Sequence, residues 1–270
     1  MNFIHLPSEL QLHIAEKLES RELSYLSRAN HHFHSLCTPA LERLAQEPRG
    51  RLCAFWWAIL HNYPPLVQLL LSKGHDINHL LYCQLYFGTA LHISVMARNH
   101  PLITLFLNNP VLDMNKLNMD EDTALHQAIQ RHDLEAVKLL HAGGVDLEIG
   151  DRFGKTPLLL ALKYEHEERT VLMEHEESIE NEEIIEFLVR NGANVNVLLP
   201  AGTEPYITFL QGLVWVGNER LVKLALEYGA DPEVRDAQGQ RAIDNAFEWG
   251  LTGIVDILRE VSLPLDMDAQ

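Results

Sequence analysis

Pairs of adjacent apolar residues recur along this chain at nearly regular intervals. Four of the five intervals between pairs are 33 to 37 residues long, and the remaining one is 48. A small or apolar residue stands eight positions before five of the six pairs. This pattern predicts two helices joined by a short turn, because a small side chain on one helix lets the other approach closely. The pairs are Leu66/Val67, Leu102/Ile103, Ala136/Val137, Ile184/Ile185, Leu221/Val222 and Ile254/Val255, and the small or apolar residues are Ala58, Ser94, Ala128, Ala161, Leu213 and Ala246.

A tetrapeptide repeats with the same period. Thr89-Ala90-Leu91-His92 returns as Thr123-Ala124-Leu125-His126, 34 residues later, and a degraded copy begins at Thr156, 33 residues after that. A fixed period in this range is typical of a repeat array, in which each unit packs only on its neighbours. We therefore expect function to lie on a long surface built from several repeats rather than in one pocket.

The tetrapeptide and a recurring glycine together define six repeat starts. The glycine recurs at Gly74, Gly144, Gly192 and Gly229. The intervals between starts are 36, 34, 33, 52 and 33, and the long one holds 15 extra residues before Gly192 and four after it. The starts are Cys53, Thr89, Thr123, Thr156, Thr208 and Arg241.

Residues 53–262 resemble an ankyrin-repeat array, because the Thr-Pro-Leu-His type of motif, the Gly-Ala-Asp turn and the 33-residue period occur together. The resemblance implies helix–turn–helix repeats joined by hairpin-like loops. It also implies that the first residue of each repeat caps the first helix, a role that suits Thr. Pro157 would then occupy the first helical position, and His92 and His126 would hydrogen-bond to neighbouring backbone.

The first 46 residues have a different pattern, with short apolar groups that predict three amphipathic helices. Such a unit buries little surface and is marginally stable alone. The Leu-Pro start and the order of the apolar positions after it resemble an F-box, in particular those of fungi. The resemblance implies that this segment binds a Skp-type adaptor, and through it a cullin ligase core. The adaptor-binding residues implied are Leu6, Pro7, Leu10, Ile14 and Leu26.

The predicted fold is therefore all-α, with a short F-box-like three-helix bundle over residues 1–46. An ankyrin-repeat solenoid of about six repeats follows over residues 53–262.

The formal net charge of −17 lies entirely in the repeats. Residues 1–52 carry six basic and six acidic residues, whereas residues 53–270 carry 15 basic and 32 acidic ones. This balance disfavours a nucleic acid partner and favours a basic target protein. Residues 165–183, the insert within the fourth repeat, contain nine Glu and one Arg. They are interpreted either as a solvated extension or as a docking element for a basic segment.

Several motifs suggest catalysis or metal binding but are incomplete. Gly154-Lys155-Thr156 lacks the earlier glycine of a phosphate-binding loop, and His166-Glu167 lacks the second histidine of a metalloprotease motif. His75, His79 and Cys83 are spaced like metal ligands on a helix, but they fall in a repeat junction, where no helix is expected. We therefore predict a protein that is not an enzyme and that has no metal or cofactor.

No apolar run approaches the ~18 residues of a membrane helix, and no signal peptide pattern is present. Three cysteines are too few for a disulfide framework. These features predict a cytoplasmic or nuclear protein with no membrane contact.

In the ankyrin register the fifth and eighth positions of each repeat face the concave groove, where a target would bind. Trp is common at binding hot spots, but Trp57 and Trp215 could equally pack against neighbouring repeats. We refer to the predicted set as the groove positions: Trp57, Ile93, Met96, Gln127, Gln130, Leu160, Lys163, Trp215, Asn245 and Glu248.

The sequence thus leads to two functional hypotheses. In the first, the chain is the substrate-recognition subunit of an SCF-type ubiquitin ligase, with the F-box on the adaptor and the repeats on the target. In the second, the chain is a non-catalytic binding scaffold with no ligase role.

Overall fold

The computed structural model describes residues 55–162, 181–198 and 208–262, except 57, 61, 63, 73, 84–85 and 237. The F-box-like segment therefore lies outside the described residues, as does most of the acidic insert. The chain divides into two compact units, Met1–Asp113 and Met114–Gln270.

The first unit contains helices and one short β-hairpin. Residues 55–56 and 58–60 are helical. The strands pair antiparallel, with Tyr82 opposite Phe87, so one of the expected hairpin-like loops is a true two-stranded ladder. The named elements are α1 (Pro64–Ser72), β1 (Leu81–Cys83), β2 (Tyr86–Gly88), α2 (Ala90–Met96) and α3 (His100–Leu107).

The second unit is built from four pairs of helices arranged in two layers, as far as the described residues extend. The first layer contains α4 (Ala124–Gln130), α6 (Pro157–Ala161), α8 (Phe209–Val216) and α10 (Ala242–Glu248). The second contains α5 (Leu134–Gly143), α7 (Glu182–Arg190), α9 (Glu219–Glu227) and α11 (Thr252–Ser262). Helices α5, α7, α9 and α11 pack in that order, while α4 packs on α6 and α8 on α10. The core lies between the layers, where each apolar pair of the second-layer helices is buried.

In the second to sixth repeats, the first helix begins directly after the residue that opens the repeat in the sequence. The expected capping role is confirmed at Thr123 and Thr208, whose hydroxyl oxygens accept from the backbone N–H groups of His126 (3.3 Å) and Gln211 (3.1 Å). Pro157 occupies the first position of α6, as expected. In that repeat the Thr156 hydroxyl is buried without a hydrogen-bond partner.

The turn between the two helices of a repeat requires a left-handed residue at the tenth position. Asn62, Arg98 and His132 adopt φ of 50°, 51° and 52° there, and glycine takes the same position at Gly217 and Gly250. In the fourth repeat the tenth position is residue 165, where the acidic insert begins. The extra residues thus lie between α6 and α7 in the sequence.

Candidate protein-binding surface

The groove positions differ widely in exposure and belong to both units. Ile93 and Met96 lie in the first unit, and the others that are described lie in the second. Trp57 and Lys163 are outside the described side chains. Ile93, Gln127 and Asn245 are buried, Met96, Leu160 and Trp215 are half-buried, and Gln130 and Glu248 are exposed.

Trp215 contacts a second tryptophan that the sequence had not singled out. The rings of Trp215 and Trp249 meet edge to face, with centroids 4.9 Å apart and planes at 90°. Trp249 is the C-cap of α10, in the repeat that follows α8. Trp215 therefore both packs on a neighbouring repeat and remains half-exposed, so the two interpretations of this residue are compatible.

Two groove positions hold buried polar atoms without partners. Gln127 is 9% exposed and Asn245 is 3% exposed. Neither Gln127 Oε1 nor Asn245 Oδ1 accepts a hydrogen bond. Leaving a buried acceptor unsatisfied costs about 1–3 kcal/mol. Because both residues occupy the fifth position of a repeat, their unsatisfied acceptors are a shared feature of the predicted groove.

Side chains in the loops link successive repeats through hydrogen bonds to backbone N–H groups. In the first unit, Asn78 Oδ1 accepts from Asp113 N at 2.8 Å. In the second unit the loops are linked to one another in the same way. Asn115 Oδ1 accepts from Asp146 N at 3.0 Å. Glu148 Oε1 accepts from Asn194 N at 2.9 Å, and Asn196 Oδ1 accepts from Asp231 N at 2.9 Å.

These hydrogen bonds between loops were not predicted from the sequence, although the sequence contains a signal for them. Asn78, Glu148 and Asn196 each stand four residues after a helix-ending glycine. The residues at the starts of the second helices were missed as well. Asn99, Asp133 and Asn218 follow their repeat starts by ten positions, and each accepts a backbone N–H bond from its helix.

His126 is buried as a neutral imidazole. Its Nδ1 accepts from Thr123 N (3.2 Å), which leaves Nε2 to donate to the carbonyl of Lys155 (3.2 Å). Burial lowers the pKa of His126 below its ordinary value, more than the nearby carboxylates raise it. The same arrangement at His92 Nδ1 and Thr89 N (3.2 Å) confirms the expected structural role of both histidines.

An acidic group borders the groove positions of the third repeat. Gln130 Nε2 donates to Asp122 Oδ2 at 3.1 Å. Burial raises the pKa of Asp122, while the Gln130 hydrogen bond opposes that rise. Nearby, Arg152 Nη2 pairs with Asp120 Oδ1 at 2.6 Å and joins two successive loops.

The other predicted sites are placed as follows. Residues 75–80 contain no helix, so the spacing of His75, His79 and Cys83 does not put them on one helical face. Among the described residues no group of three or more His, Cys, Asp or Glu could hold a metal ion. The adaptor-binding residues lie outside the described ranges. In the part of the chain that the structure covers, none of the helices has both the length and the apolar character needed to cross a bilayer.

Comparisons with known proteins agree with this architecture. The family profile described as "Ankyrin repeats (3 copies)" matches residues 55–148 and 91–178. Residues 55–178 are ankyrin repeats. Two solved structures share the ankyrin fold over 77% of the chain. The ankyrin repeat domain of Bcl-3 has a TM-score of 0.62 at 20% identity with 85% of that chain covered, and a domain from Acinetobacter baumannii has 0.61 at 22% with 96% covered.

Among sequence relatives, the match covers only part of each protein. Alpha-latrotoxin-Lg1a of Latrodectus geometricus is 28% identical over 52% of this chain and 9% of its own length. XBAT35 of Arabidopsis thaliana, whose name marks it as a candidate E3 ubiquitin-protein ligase, is 32% identical over 48% of this chain and 25% of its own length. The chain thus spans a quarter or less of these two relatives. The probable 26S proteasome regulatory subunit p28 of Saccharomyces cerevisiae is 25% identical over 76% of this chain and 82% of its own length.

Ankyrin repeats bind protein partners and are typically non-enzymatic scaffolds. The ankyrin repeats matched over residues 55–178 therefore imply protein–protein interaction.

Proposed function

We propose that this chain is the substrate-recognition subunit of an SCF-type ubiquitin ligase. Its N-terminal segment binds a Skp-type adaptor, and its ankyrin repeats hold a target protein on the groove positions. The order of the two segments supports adaptor binding, because an F-box-like Leu-Pro start precedes the repeats. The candidate ligase name of the ankyrin-containing relative XBAT35 points the same way.

The observation that carries target binding is the acidic character of the repeats. Residues 53–270 carry 32 acidic and 15 basic residues, and two of the groove positions, Gln130 and Glu248, are exposed. A surface of this charge attracts basic partners. We therefore expect the target to present a protein segment that is rich in Lys or Arg.

Adaptor capture tests the ligase role. Leu6→Ala with Pro7→Ala removes apolar contacts at the start of the F-box-like segment, and such a loss at a hot spot costs ~2 kcal/mol or more. We expect the double variant to lose at least about 30-fold in affinity for a purified Skp-type adaptor. The chain offers a matched control, because Leu263-Pro264 is a second Leu-Pro pair outside that segment. Leu263→Ala with Pro264→Ala should capture the adaptor normally, and equal capture by both variants would contradict the proposal.

A scaffold without a ligase role is the second candidate. The match to the proteasome subunit p28, which covers most of both chains, favours it. The same capture experiment separates the two functions. No adaptor binding by the wild-type chain, with the repeats folded, would favour the scaffold.

A further inference from the structure

The sequence contains one Asn-Gly pair, Asn191-Gly192, and it lies directly after the last residue of α7. Asparagine is chemically labile, and it deamidates most readily before glycine, because glycine has no side chain to hinder attack by its own backbone nitrogen. Both residues are exposed, so water can reach them. The glycines that end the second helices of other repeats, Gly74, Gly144 and Gly229, do not follow an asparagine.

We propose that Asn191 is a deamidation site whose reaction is suppressed while the end of α7 is folded and proceeds when that end opens. In the reaction the backbone nitrogen of Gly192 loses its proton and attacks Cγ of Asn191. The bond from Cγ to the side-chain nitrogen breaks, ammonia leaves, and a five-membered succinimide ring remains. Water then opens the ring, and the product is aspartate or isoaspartate at position 191.

The backbone geometry at Asn191 holds the two reacting atoms apart. Asn191 has φ of −102° and ψ of 20°. Ring closure requires Cβ of Asn191 and the nitrogen of Gly192 to lie on the same side of the Cα–C bond, which corresponds to a strongly negative ψ. At the observed ψ the nitrogen points away from Cβ, so Cγ cannot approach it.

Hydrogen bonds in the last turn of α7 stabilise this unreactive conformation. Asn191 Nδ2 donates to the carbonyl of Phe187 at 2.7 Å. The backbone nitrogen of Gly192, which is the nucleophile, donates to the carbonyl of Val189 at 3.3 Å. Both bonds must break before the ring can form. The ends of elements open at a much lower free energy than the whole protein, so opening of this turn is sufficient to release the two reacting groups.

Deamidation would weaken the end of α7 irreversibly. An aspartate at position 191 has no side-chain N–H group to donate to the carbonyl of Phe187. It also places a negative charge at the C-terminus of the helix, where the helix dipole is negative as well. An isoaspartate lengthens the main chain by one methylene group directly before Gly192, which ends the helix with a left-handed φ of 91°. The reaction would therefore mark molecules in which this end of the fourth repeat has opened.

Mass spectrometry of the full chain tests the assignment. Samples are kept in mildly alkaline buffer, either folded or unfolded in guanidinium chloride, and deamidation is located by fragmentation of the tryptic peptide 191–220. We expect unfolding to speed the reaction at Asn191 at least about ten-fold. Asn194 and Asn196 lie in the same peptide and each precede valine, so they should react far more slowly and serve as internal controls.

Two results would overturn the proposal. Equal rates at Asn191 in the folded and unfolded chain would show that the end of α7 does not control the reaction. A rate at Asn191 no higher than at Asn194 in the unfolded chain would show that the Asn-Gly pair is not a deamidation site.

Two substitutions separate the reaction from its consequence. Asn191→Gln keeps an amide, but its longer side chain closes the corresponding ring far more slowly, so deamidation at this position should be lost. Asn191→Asp reproduces one product, and we expect it to lower the unfolding midpoint by a few degrees. A wild-type midpoint for Asn191→Asp would contradict the proposed weakening of α7, and undiminished deamidation of the peptide in Asn191→Gln would contradict the assignment to Asn191.

Discussion

His126 and Gln211 occupy the same position of two repeats and form equivalent hydrogen bonds. Gln211 Oε1 accepts from Thr208 N (2.7 Å) and its Nε2 donates to the carbonyl of Gln240 (2.8 Å). His126 forms the matching bonds to Thr123 N and the carbonyl of Lys155. An amide and a neutral imidazole thus play the same role, but only the imidazole can be protonated.

Because only His126 can be protonated, we predict that the free energy of unfolding depends on pH through this residue. Because burial holds the pKa of folded His126 below its ordinary value of 6.5, the unfolded chain binds the proton more readily. The contribution of His126 to stability is complete above pH 6.5 and is lost as the pH falls through the lower folded pKa. We expect His126→Gln to reduce the drop in unfolding midpoint between pH 7.5 and pH 5, measured by circular dichroism. Gln211→His should increase that drop. If both variants kept the pH dependence of the wild-type unfolding midpoint, the account would be contradicted.

The backbone conformation of Glu121 indicates that a substitution there would stabilise the folded protein. It adopts φ of 63°, whereas the loops of the fourth and sixth repeats have Gly154 (φ 74°) and Gly239 (φ 79°) at that place. A left-handed conformation costs a side-chain-bearing residue about 1–2 kcal/mol, which the greater flexibility of unfolded glycine partly offsets. We expect Glu121→Gly to raise the free energy of unfolding by up to about 1 kcal/mol in urea denaturation. Glu121→Ala removes the same charge but keeps the strain, so an equal gain there would show that charge rather than conformation matters.

At the scale of the helices, the acidic insert separates α6 from α7 in the sequence. Residue 165 is the tenth position of its repeat. Asn181 is the N-cap residue of α7, as Asp133 is the N-cap residue of α5. Asn181 is buried and bonds His132 Nδ1 (2.7 Å) and the carbonyl of Ala161 (3.3 Å). Glu182, also within the range 165–183, accepts from Asn218. The surplus residues that could be removed are therefore 166–180.

Two deletions of equal length test this register. Removing 166–180 places Asn181 at the eleventh position, where Asn99, Asp133 and Asn218 stand in other repeats. We expect cooperative unfolding with a midpoint shift of only a few degrees. Removing 167–181 deletes Asn181 and its hydrogen bonds to His132 and Ala161, which should lower stability by about 2 kcal/mol more. Outright unfolding of the first variant would show that the insert packs on the repeats.

The sequence predicted the repeats well because each one carries its own signals for helix start, close packing and helix end. Thr123 and Gly144 could be placed from the period alone. Trp249 and the β1–β2 ladder could not, since the first depends on contact with another repeat and the second on the pairing of one particular loop. The groove positions were inferred from the register, but the unsatisfied acceptors of Gln127 and Asn245 required the packed structure.

At the scale of the whole molecule, the repeats carry an excess of negative charge that should act on binding. Such a surface attracts basic segments, and salt screens the attraction beyond about 8 Å at physiological ionic strength. We expect the affinity for a fluorescent peptide that contains several arginines to fall steadily from 0.05 to 0.5 M NaCl, as measured by fluorescence anisotropy. Residues 166–180 hold six Glu and one Arg, so their deletion should flatten this dependence. An unchanged salt dependence would favour the interpretation of the insert as a solvated extension without a docking role.

The central claim is that one chain joins a ligase adaptor to a protein target. Size-exclusion chromatography with light scattering on the full chain and a purified Skp-type adaptor tests it most directly. The account predicts a 1:1 complex that is absent when Leu6→Ala and Pro7→Ala are combined and present when Leu263→Ala and Pro264→Ala are combined. Separate elution of the wild-type chain and the adaptor at micromolar concentrations would contradict it.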